Sequence, residues 1–309
     1  MKPPDVRVVL NPRAGAGSAK RLLPEVRREL ARLDLSSDVA ETEGPRDAGR
    51  LVKRAHAEGV QMVAVMGGDG TLNEAAQGYL GDDGGAIEGP DLLVVPAGTG
   101  GDFRKTLGID GLTAAIARAR GRAAVPHDLG RLELVDDDGA TVTRAFINIT
   151  SFGIGGVADR MVNESPKWLG GKASYFLGSA RAWLRYRNQP MRVRVDGAVF
   201  EEGPVFNLAV CNGRYFGGGM KVAPDADPTD GLFDVVSMGD FSRLEGLSLS
   251  NKIYAGTHLT SRAVKVTRGA IVEAEPIHPW TKVLIDMDGE TPGRLPLRAT
   301  VLRGAVRIR

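Results

Sequence analysis

The stretch Met66–Glu74 reads Met-Gly-Gly-Asp-Gly-Thr-Leu-Asn-Glu and decides how the first half of this chain folds. It follows the apolar run Met62–Met66, which predicts a buried strand, and it leads into apolar residues spaced as on one helix face. Thr71 and Glu74 match a capping box, which places the predicted helix start at the end of the loop. Three glycines leave backbone N–H groups open to an anion at the positive end of the helix dipole.

This loop favours a nucleotide phosphate with its magnesium ion. Asp69 is the acidic residue inside the loop, has no evident structural partner, and can reach a metal or a hydroxyl. Glycine loops between a strand and a helix cradle phosphates in several nucleotide-binding folds. A tight turn without a ligand is the alternative interpretation of the same residues.

Strand and helix patterns alternate through residue 125, which is typical of a doubly wound parallel sheet. The predicted strands are Val6–Leu10, Asp38–Glu41, Met62–Met66 and Leu92–Val95, with helices after Ser18, around Arg46–Glu58 and over 71–80. Ligands of such sheets bind beyond the carboxyl ends of the strands. The loops Asn11–Gly17, Gly67–Thr71 and Gly98–Asp102 are therefore expected to meet.

The pattern changes near Val125 to short strands and Asp-Gly turns, which predicts a mainly antiparallel β-sandwich. Strands are predicted at 131–135, 141–149, 191–195, 198–200, 205–210, 232–238, 263–266, 271–275 and 283–287, and helices at 172–187 and 242–254. We therefore predict an α/β nucleotide-binding domain over 1–125 and a β-rich substrate domain over 126–292, with a cleft between them. The segment 293–309 can close either domain.

Composition narrows the function classes. A net charge of +2 is too weak to indicate a nucleic-acid partner, and the single Cys211 excludes an internal disulfide. The four histidines show no metal-ligand spacing. With no apolar run long enough to cross a bilayer and no leader-like start, we expect a cytoplasmic protein.

Two other loops carry side chains suited to phosphate. In the first loop Arg13 and Lys20 supply positive charge, although an ordinary turn explains that loop equally well. The third loop offers oxygen ligands and cations at Thr99, Asp102, Arg104 and Lys105. Neither G-x-x-x-x-G-K-[ST] nor a G-x-G-x-x-G after a strand occurs, which disfavours a P-loop protein and dinucleotide hydride transfer.

Two acidic turns have two interpretations each. Asp225–Leu232 fits a hard-cation site or a solvated Asp-rich turn. Asp286–Glu290 fits a proton-accepting carboxylate at a strand end or a hairpin turn built on Asp-Gly. Asp288 and Glu290, two residues apart on a strand, are expected to share a face.

Together these segments resemble the diacylglycerol kinase catalytic-domain superfamily, in its bacterial soluble branch, with sphingosine and ceramide kinases as relatives. The matching segments are Asn11-Pro12 with Gly15 and Gly17, Gly67–Glu74, Gly98–Phe103, Asn207–Asn212, Asp230–Asp234 and Asp288–Glu290. The resemblance implies an NAD-kinase-like α/β domain, a β-sandwich, and phosphorylation of a lipid hydroxyl that depends on ATP and Mg²⁺.

The resemblance also implies roles for individual residues. The residues expected around ATP, together with the cations of the loops, are Asn11, Pro12, Arg13, Ala14, Gly15, Lys20, Thr42, Gly67, Gly68, Asp69, Gly70, Thr71, Leu72, Asn73, Thr99, Asp102, Arg104 and Lys105. Asp69 and Asp102 would hold Mg²⁺–phosphate. A structural Mg²⁺ would bind at Asp227, Asp230 and the Leu232 carbonyl. Glu290 would accept the proton, with Asp288 as the close competitor.

The chain departs from the family pattern at Gly101, where an Asn is usual, and at Arg104-Lys105, where Ala-Arg is usual. The first departure favours a lipid- or nucleotide-binding protein with weak turnover as one alternative. An NAD kinase is the other, because the Gly67–Glu74 loop is shared with that class.

A lipid substrate implies peripheral contact with the inner face of the membrane, while a homodimer is left open by the sequence. Aromatic residues at Trp168, Tyr175, Phe176, Trp183 and Tyr186 lie among Lys167, Lys172, Arg181, Arg185 and Arg187. This spacing suits an interfacial helix, or equally a helix that packs on the sandwich.

Overall fold

A computed structural model gives the fold of this chain and describes residues 2–97, 101–121, 123–163, 186–240 and 243–309. The first part is an α/β layer built on four parallel strands. They are β1 Val6–Leu10, β2 Ser37–Glu41, β3 Met62–Gly67 and β4 Asp91–Pro96, in the spatial order β4-β3-β1-β2. The helices are α1 Ser18–Arg32, α2 Asp47–Ala57, α3 Asp69–Ala76, α4 Phe103–Thr106 and α5 Gly111–Gly121.

Apolar side chains on both faces of this sheet explain why it forms. Every residue of β1 and β4 is buried, as expected for parallel strands covered by helices on two sides. One face packs under α1 and α5, and its core residues include Val8, Leu30 and Leu93. The other face packs under α2 and α3, where the core continues into the second half of the chain at Leu129. The predicted doubly wound α/β layer is confirmed.

The second half is a mainly antiparallel β structure, which confirms the predicted sandwich class. Its strands are β5 Val125–Val135, β6 Thr141–Phe146, β7 Ile149–Gly153, β8 Gln189–Val195, β9 Ala198–Val205, β10 Asn207–Cys211, β11 Phe233–Met238, β12 Val264–Gly269, β13 Ile271–Pro276, β14 Leu284–Met287 and β15 Glu290–Ile308. Two helices, α6 Ile154–Asn163 and α7 Arg243–Ala255, lie among them. The interior is apolar, with Phe146, Phe152 and Phe233 among its large buried side chains.

The last strand joins the two halves. β15 pairs with β14, β13 and β5 in antiparallel fashion, and its residue Ile308 pairs with Leu92 of β4 in parallel. The strands therefore form one continuous sheet through β15, in the order β12-β11-β10-β7-β14-β15-β4-β3-β1-β2. The end of the chain contacts both halves, while the domain boundaries at 125 and 292 stay predictions.

Several local predictions need correction. α3 begins at Asp69 rather than Thr71, and Gly68 at its N-cap makes no side-chain capping bond. The capping box is wrong because the Thr71 hydroxyl accepts a hydrogen bond from Asn11 Nδ2, at 3.0 Å. The predicted strand over 141–149 is two strands, β6 and β7, separated by two residues. Helix α6 was not anticipated.

The segment that suggested an interfacial helix lies outside the described residues, apart from its end at Tyr186 and Arg187. Tyr186 is buried there, and its hydroxyl donates a hydrogen bond to the Val205 carbonyl at 3.2 Å. Among the residues that the structure describes, no helix is long and apolar enough to cross a membrane.

Asp128 tests how β5 is held to the acidic turn and to β15 within the second half. Its buried carboxylate accepts hydrogen bonds from the Gly231 and Gly304 amides, both at 2.7 Å. Asp128→Ala leaves two amides without an acceptor, at a cost of about 1–3 kcal/mol for each buried group. We expect urea unfolding to show a free energy of unfolding lower by roughly 2–4 kcal/mol.

The matched control is Asp82→Ala. The Asp82 carboxylate is fully exposed and lies 3.9 Å from Lys53 Nζ, which is a weak ion pair. An exposed pair of this kind contributes at most about 1 kcal/mol. Equal unfolding free energies for the two variants would show that Asp128 does not hold these segments.

Candidate active site

The glycine loop leaves open space at the N-terminus of α3. A Cβ on Gly67 would lie 2.5 Å from Thr71, so this glycine is needed for the turn itself. A Cβ on Gly68 or Gly70 would meet nothing within 4 Å. These two positions therefore leave room for a ligand next to the first N–H groups of the helix, where an anion is favoured.

Asp69 binds the third loop and is not the isolated carboxylate that the sequence suggested. Both of its oxygens accept the Asp102 amide at 2.9 Å, and Oδ1 also accepts the Phe103 amide at 3.3 Å. Burial raises the pKa of Asp69, an effect that these amides oppose and the negative charge of Asp102 reinforces. Asp69 therefore orients the start of α4. The pKa of its carboxylate responds to the nearby charge of Asp102.

Asp102 links the third loop to the second half of the chain. Its Oδ1 accepts a hydrogen bond from Lys105 Nζ at 2.7 Å, and its Oδ2 accepts one from the Gly218 amide at 2.8 Å. Lys105 Nζ also lies 5.9 Å from the centre of the Tyr215 ring. Thr99, predicted beside these residues, lies outside the described residues.

The first loop is tied to the other two, as expected of loops at one edge of a parallel sheet. Asn11 contacts Thr71 through its amide, and its Oδ1 accepts the Arg13 amide at 3.0 Å. The Ser18 hydroxyl donates to the Ala97 carbonyl at 2.6 Å. Close approach there requires glycine at 15, because a Cβ would lie 2.4 Å from the Ala97 oxygen.

The remaining predicted residues of this edge surround the same loops. Arg13 and Lys20 are exposed, Pro12 and Ala14 are half-buried, and the Thr42 amide donates to the Leu10 carbonyl at 2.8 Å. A small recess opens to solvent between the ends of β3 and β4 and the start of α3. It is lined by Val65, Gly67, Gly68, Asp69, Leu72, Val94, Pro96, Gly101 and Arg104.

Gly101 has a backbone conformation that explains why this chain lacks a larger residue there. Its φ is +110°, and a Cβ would lie 3.2 Å from Arg104 Cδ. Arg104 in turn donates to the Ile109 carbonyl at 2.9 Å. The Arg104 stem therefore occupies the space beside Gly101, on the wall of the recess.

Asp288 is the point where the second half reaches the glycine-loop helix. Its Oδ2 accepts Asn73 Nδ2 at 2.8 Å and the Ile147 amide at 2.9 Å. Its Oδ1 accepts the Ile149 amide at 2.8 Å and the Asn148 amide at 3.2 Å. Burial raises the pKa of Asp288 to about 6 despite these donors, and the charge of Asp69 adds to the rise. Asp288 is thus already bound by four donors.

Glu290 lies on the other side of a turn and is exposed. Asp288 and Gly289 have φ of 51° and 89°, the left-handed pair of a two-residue hairpin turn between β14 and β15. The prediction that the two carboxylates share one face of a strand is therefore wrong. The alternative interpretation of this segment as a hairpin turn is correct. It does not exclude the chemical one, since the turn places both carboxylates at the cleft.

The charges around Glu290 suit a proton acceptor. Partial burial raises the pKa of Glu290, and the negative charges of Glu74 and Asp288 raise it further, while Arg144 and Arg46 act in the opposite direction. No hydrogen bond to the Glu290 carboxylate occurs within the described part of the chain. Its oxygens are thus available to a substrate hydroxyl.

A side chain that sequence reasoning missed holds α3 against β6. Gln77 Oε1 accepts the Ala145 amide at 2.9 Å, and its Nε2 donates to the Ala145 carbonyl at 2.6 Å and to the Asn73 carbonyl at 3.1 Å. Asn73 Nδ2 also donates to Ala145, at 3.2 Å. Gln77 lies four residues after Asn73 and hence on the same helix face, which was the available signal.

The acidic turn does not join this cluster. Asp227 Oδ1 accepts the Thr229 amide and hydroxyl, at 3.0 and 2.7 Å. Asp230 Oδ1 accepts the Leu232 amide at 3.0 Å, and its Oδ2 pairs with Arg268. Within the described ranges no three acidic, His or Cys side chains gather as a ready-made metal site. The predicted cation site at Asp227, Asp230 and Leu232 stays a prediction.

Two family models together match most of the chain. The diacylglycerol kinase catalytic domain matches residues 5–132, and the YegS C-terminal NAD kinase β-sandwich-like domain matches residues 148–309.

Individual relatives agree with these matches. The chain is 30% identical to the diacylglycerol kinase of Mycobacterium tuberculosis (strain ATCC 25618 / H37Rv), over 98% of this chain and 94% of that protein. It is 33% identical to a protein of Xanthomonas axonopodis pv. citri named "Probable lipid kinase YegS-like", over 94% of this chain and 91% of the relative.

Solved structures show the same fold. A diacylglycerol kinase of Bacillus anthracis str. Sterne has a TM-score of 0.70 at 20% identity, covering 100% of this chain and 97% of its own. An NAD kinase of Archaeoglobus fulgidus in complex with ATP has a TM-score of 0.51 at 12% identity, covering 98% and 92%.

Gln77 gives a test of the contact between the two halves. Gln77→Met removes the hydrogen bonds to Ala145 at nearly constant volume and leaves a buried amide unsatisfied, a loss of about 1–3 kcal/mol in the free energy of unfolding. The hydrogen-exchange rate of the Ala145 amide should rise by at least the factor that corresponds to this loss of free energy. Gln61→Met is the control, because Gln61 is exposed and bonds only to the nearby Gly59 carbonyl. Unchanged exchange at Ala145 would contradict the role of Gln77.

Proposed function

This chain belongs to the diacylglycerol kinase family of lipid kinases, and from that premise we propose that it transfers the terminal phosphate of ATP to a hydroxyl of a diacylglycerol-like lipid, with Mg²⁺. The observation that carries the proposal is the hydrogen bond from Asn73 to Asp288. It joins α3, the helix that follows the glycine loop, to the turn Asp286–Glu290 of the second half, which we call the carboxylate turn. Phosphate and acceptor hydroxyl can thus meet in one cleft.

The phosphates of ATP bind at the three loops in this proposal. The open positions Gly68 and Gly70 let the β- and γ-phosphates approach the start of α3, where helix N–H groups and dipole favour anions. Arg13, Lys20 and Arg104 supply positive charge around them. Phosphoryl transfer demands mainly alignment and charge neutralisation, which this rigid edge of the sheet provides.

The carboxylates of the cleft fit a magnesium ion. Asp69 and Asp102 are close enough for the charge of one to raise the pKa of the other, and such like-charged oxygens favour a divalent cation. When bound there, Mg²⁺ neutralises phosphate charge. Asp69 and Asp102 would hold it, directly or through water, while their existing bonds to loop amides orient them.

Glu290 accepts the proton of the lipid hydroxyl, and Asp288 positions the turn that presents it. Both oxygens of Asp288 already accept two hydrogen bonds each. Glu290 is exposed to the cleft and its pKa is raised, so it can receive a proton as the hydroxyl attacks. The oxygen–phosphorus bond forms as the bond from γ-phosphorus to the β,γ-bridging oxygen breaks, and ADP leaves.

A second cation, structural in role, is proposed at Asp227, Asp230 and the Leu232 carbonyl. Closely spaced oxygens in this turn suit a hard cation. The Asp230–Arg268 pair would have to open or share its oxygen with the ion. The turn is fixed to the rest of the fold by Asp128, through the Gly231 amide.

The lipid substrate also implies where the enzyme works. A hydroxyl on a membrane lipid is reached only from the bilayer surface, so we propose peripheral attachment at the cytoplasmic face.

The proposed activity is tested by phosphate transfer from ATP to a panel of lipids and to NAD. We expect Mg²⁺-dependent labelling of a diacylglycerol-like lipid and none of NAD. Labelling of NAD would favour the NAD kinase alternative, which shares the glycine loop. Tight binding of ATP without labelling of any acceptor would identify a nucleotide-binding protein with little turnover.

Carboxylate variants test the proton acceptor. Glu290→Gln should lower kcat by about 10²–10⁴-fold with ATP affinity unchanged, since the effect of a general base is confined to the transition state. Asp288→Asn should lower both stability and kcat, because an amide cannot accept from all four donors. If Glu290→Gln keeps its rate while Asp288→Asn loses it, Asp288 is the base.

The pH dependence follows from the same groups. Both carboxylates have pKa values raised above their usual range, that of Asp288 to about 6, and the reaction requires them ionised. The rate should therefore be full near pH 8 and fall about tenfold per pH unit below roughly pH 6. A rate that stays constant as the pH falls through about 6 would contradict the requirement for an ionised Asp288.

A further inference from the structure

A loop far from the glycine loops carries an exposed tryptophan. Trp280 has 78% of its surface exposed, and Ile277 beside it is exposed as well. The His278 ring stacks on Trp280, with ring centroids 5.0 Å apart and planes within 4°. β14 follows this loop and ends at Met287, next to Asp288, so the loop lies at the opposite end of that strand from the carboxylate turn. Tryptophan is highly buried on average in folded proteins, so an indole left largely in water singles this loop out as a contact surface.

The loop is held in place rather than left free. The Ile277 amide donates to the Pro190 carbonyl at 3.1 Å, and the Thr281 amide donates to the His278 carbonyl at 2.9 Å. Pro279 lies inside this turn and restricts its backbone. Trp280 thus lies on a preformed turn, so binding of a partner over it costs little conformational entropy in the loop.

The chemistry of the loop selects a phospholipid surface. An indole ring has an apolar body and a polar N–H, and tryptophan is enriched where hydrocarbon meets headgroups. From Pro276 to Ile285 the sequence has one cation, the exposed Lys282, and no acidic residue. Glu275, just before the loop, pairs with Arg192 and Arg194. The loop is therefore apolar and weakly cationic, complementary to an anionic bilayer.

We propose that the loop Ile277–Lys282, with Trp280 as its anchor, docks this kinase on the phospholipid bilayer, a proposal that rests on the proposed lipid kinase function. At about 3.3 Å per residue step, the six steps from Lys282 to Asp288 span at most roughly 20 Å. Docking through the loop therefore holds the carboxylate turn within about one bilayer leaflet of the surface. The hydroxyl of a substrate lipid therefore has at most about this distance to travel from the surface to Glu290.

Vesicle binding tests the docking surface. Trp280→Ala should reduce partition onto vesicles of phosphatidylcholine and phosphatidylglycerol by about tenfold, because an aromatic side chain leaves the interface. Tyr254→Ala is the matched control, since Tyr254 is 53% exposed on α7 and should leave binding unchanged. Brominated lipids should quench the fluorescence of the wild-type protein more than that of Trp280→Phe.

Activity on two substrate forms separates this proposal from the proposed function. Trp280→Ala should lose most activity on long-chain diacylglycerol in vesicles and keep it on a short-chain diacylglycerol in solution. If the wild-type protein phosphorylates neither form, the proposed function fails. If it phosphorylates both and Trp280→Ala binds vesicles like wild type, the docking surface is wrong. A dimer that dissociates on Trp280→Ala with vesicle binding unchanged would instead show a contact between copies.

Discussion

The half-buried carboxylate of Asp288 is the constraint on which the site depends. It accepts hydrogen bonds from Asn73 in the glycine-loop helix and from three successive amides, Ile147, Asn148 and Ile149. A buried carboxylate is costly unless such donors surround it. Because the donors come from both halves of the chain, satisfying this one charge fixes the glycine loop relative to the carboxylate turn.

Negative charge accumulates around this contact. The resulting repulsion lowers the stability of the fold but suits the binding of a cation with phosphate. Asp69, Asp288 and Glu290 all have pKa values raised, chiefly by burial. In a protein without a ligand, such a cluster opposes folding. It becomes favourable when a cation and the positive end of a helix share the cleft with phosphate. The fold therefore holds charges in an arrangement suited to phosphoryl transfer at the expense of some stability.

The sequence was sufficient for the features that rest on local patterns. Continuous apolar runs predicted the parallel strands, and Asp-Gly pairs predicted the hairpins at 136–139 and 196–197. Long-range contacts were not readable in this way. Asn73 and Asp288 are 215 residues apart, and the Thr71 hydroxyl, assigned to a cap, is taken by Asn11 from 60 residues earlier. Local spacing has no means of reporting such partners, so the carboxylates of Asp286–Glu290 could be proposed as a proton-accepting group, but their contact with the glycine-loop helix could not be predicted.

The central claim is that phosphate and acceptor carboxylates meet across the Asn73–Asp288 contact. A crystal structure with Mg²⁺ and a non-hydrolysable ATP analogue tests it most directly. The account predicts the terminal phosphate at the amides of Gly68 and Gly70, with Asp69 and Asp102 facing the ion and Glu290 on the open side of the γ-phosphorus. Phosphates bound away from the start of α3, or a γ-phosphorus turned away from Glu290, would contradict it.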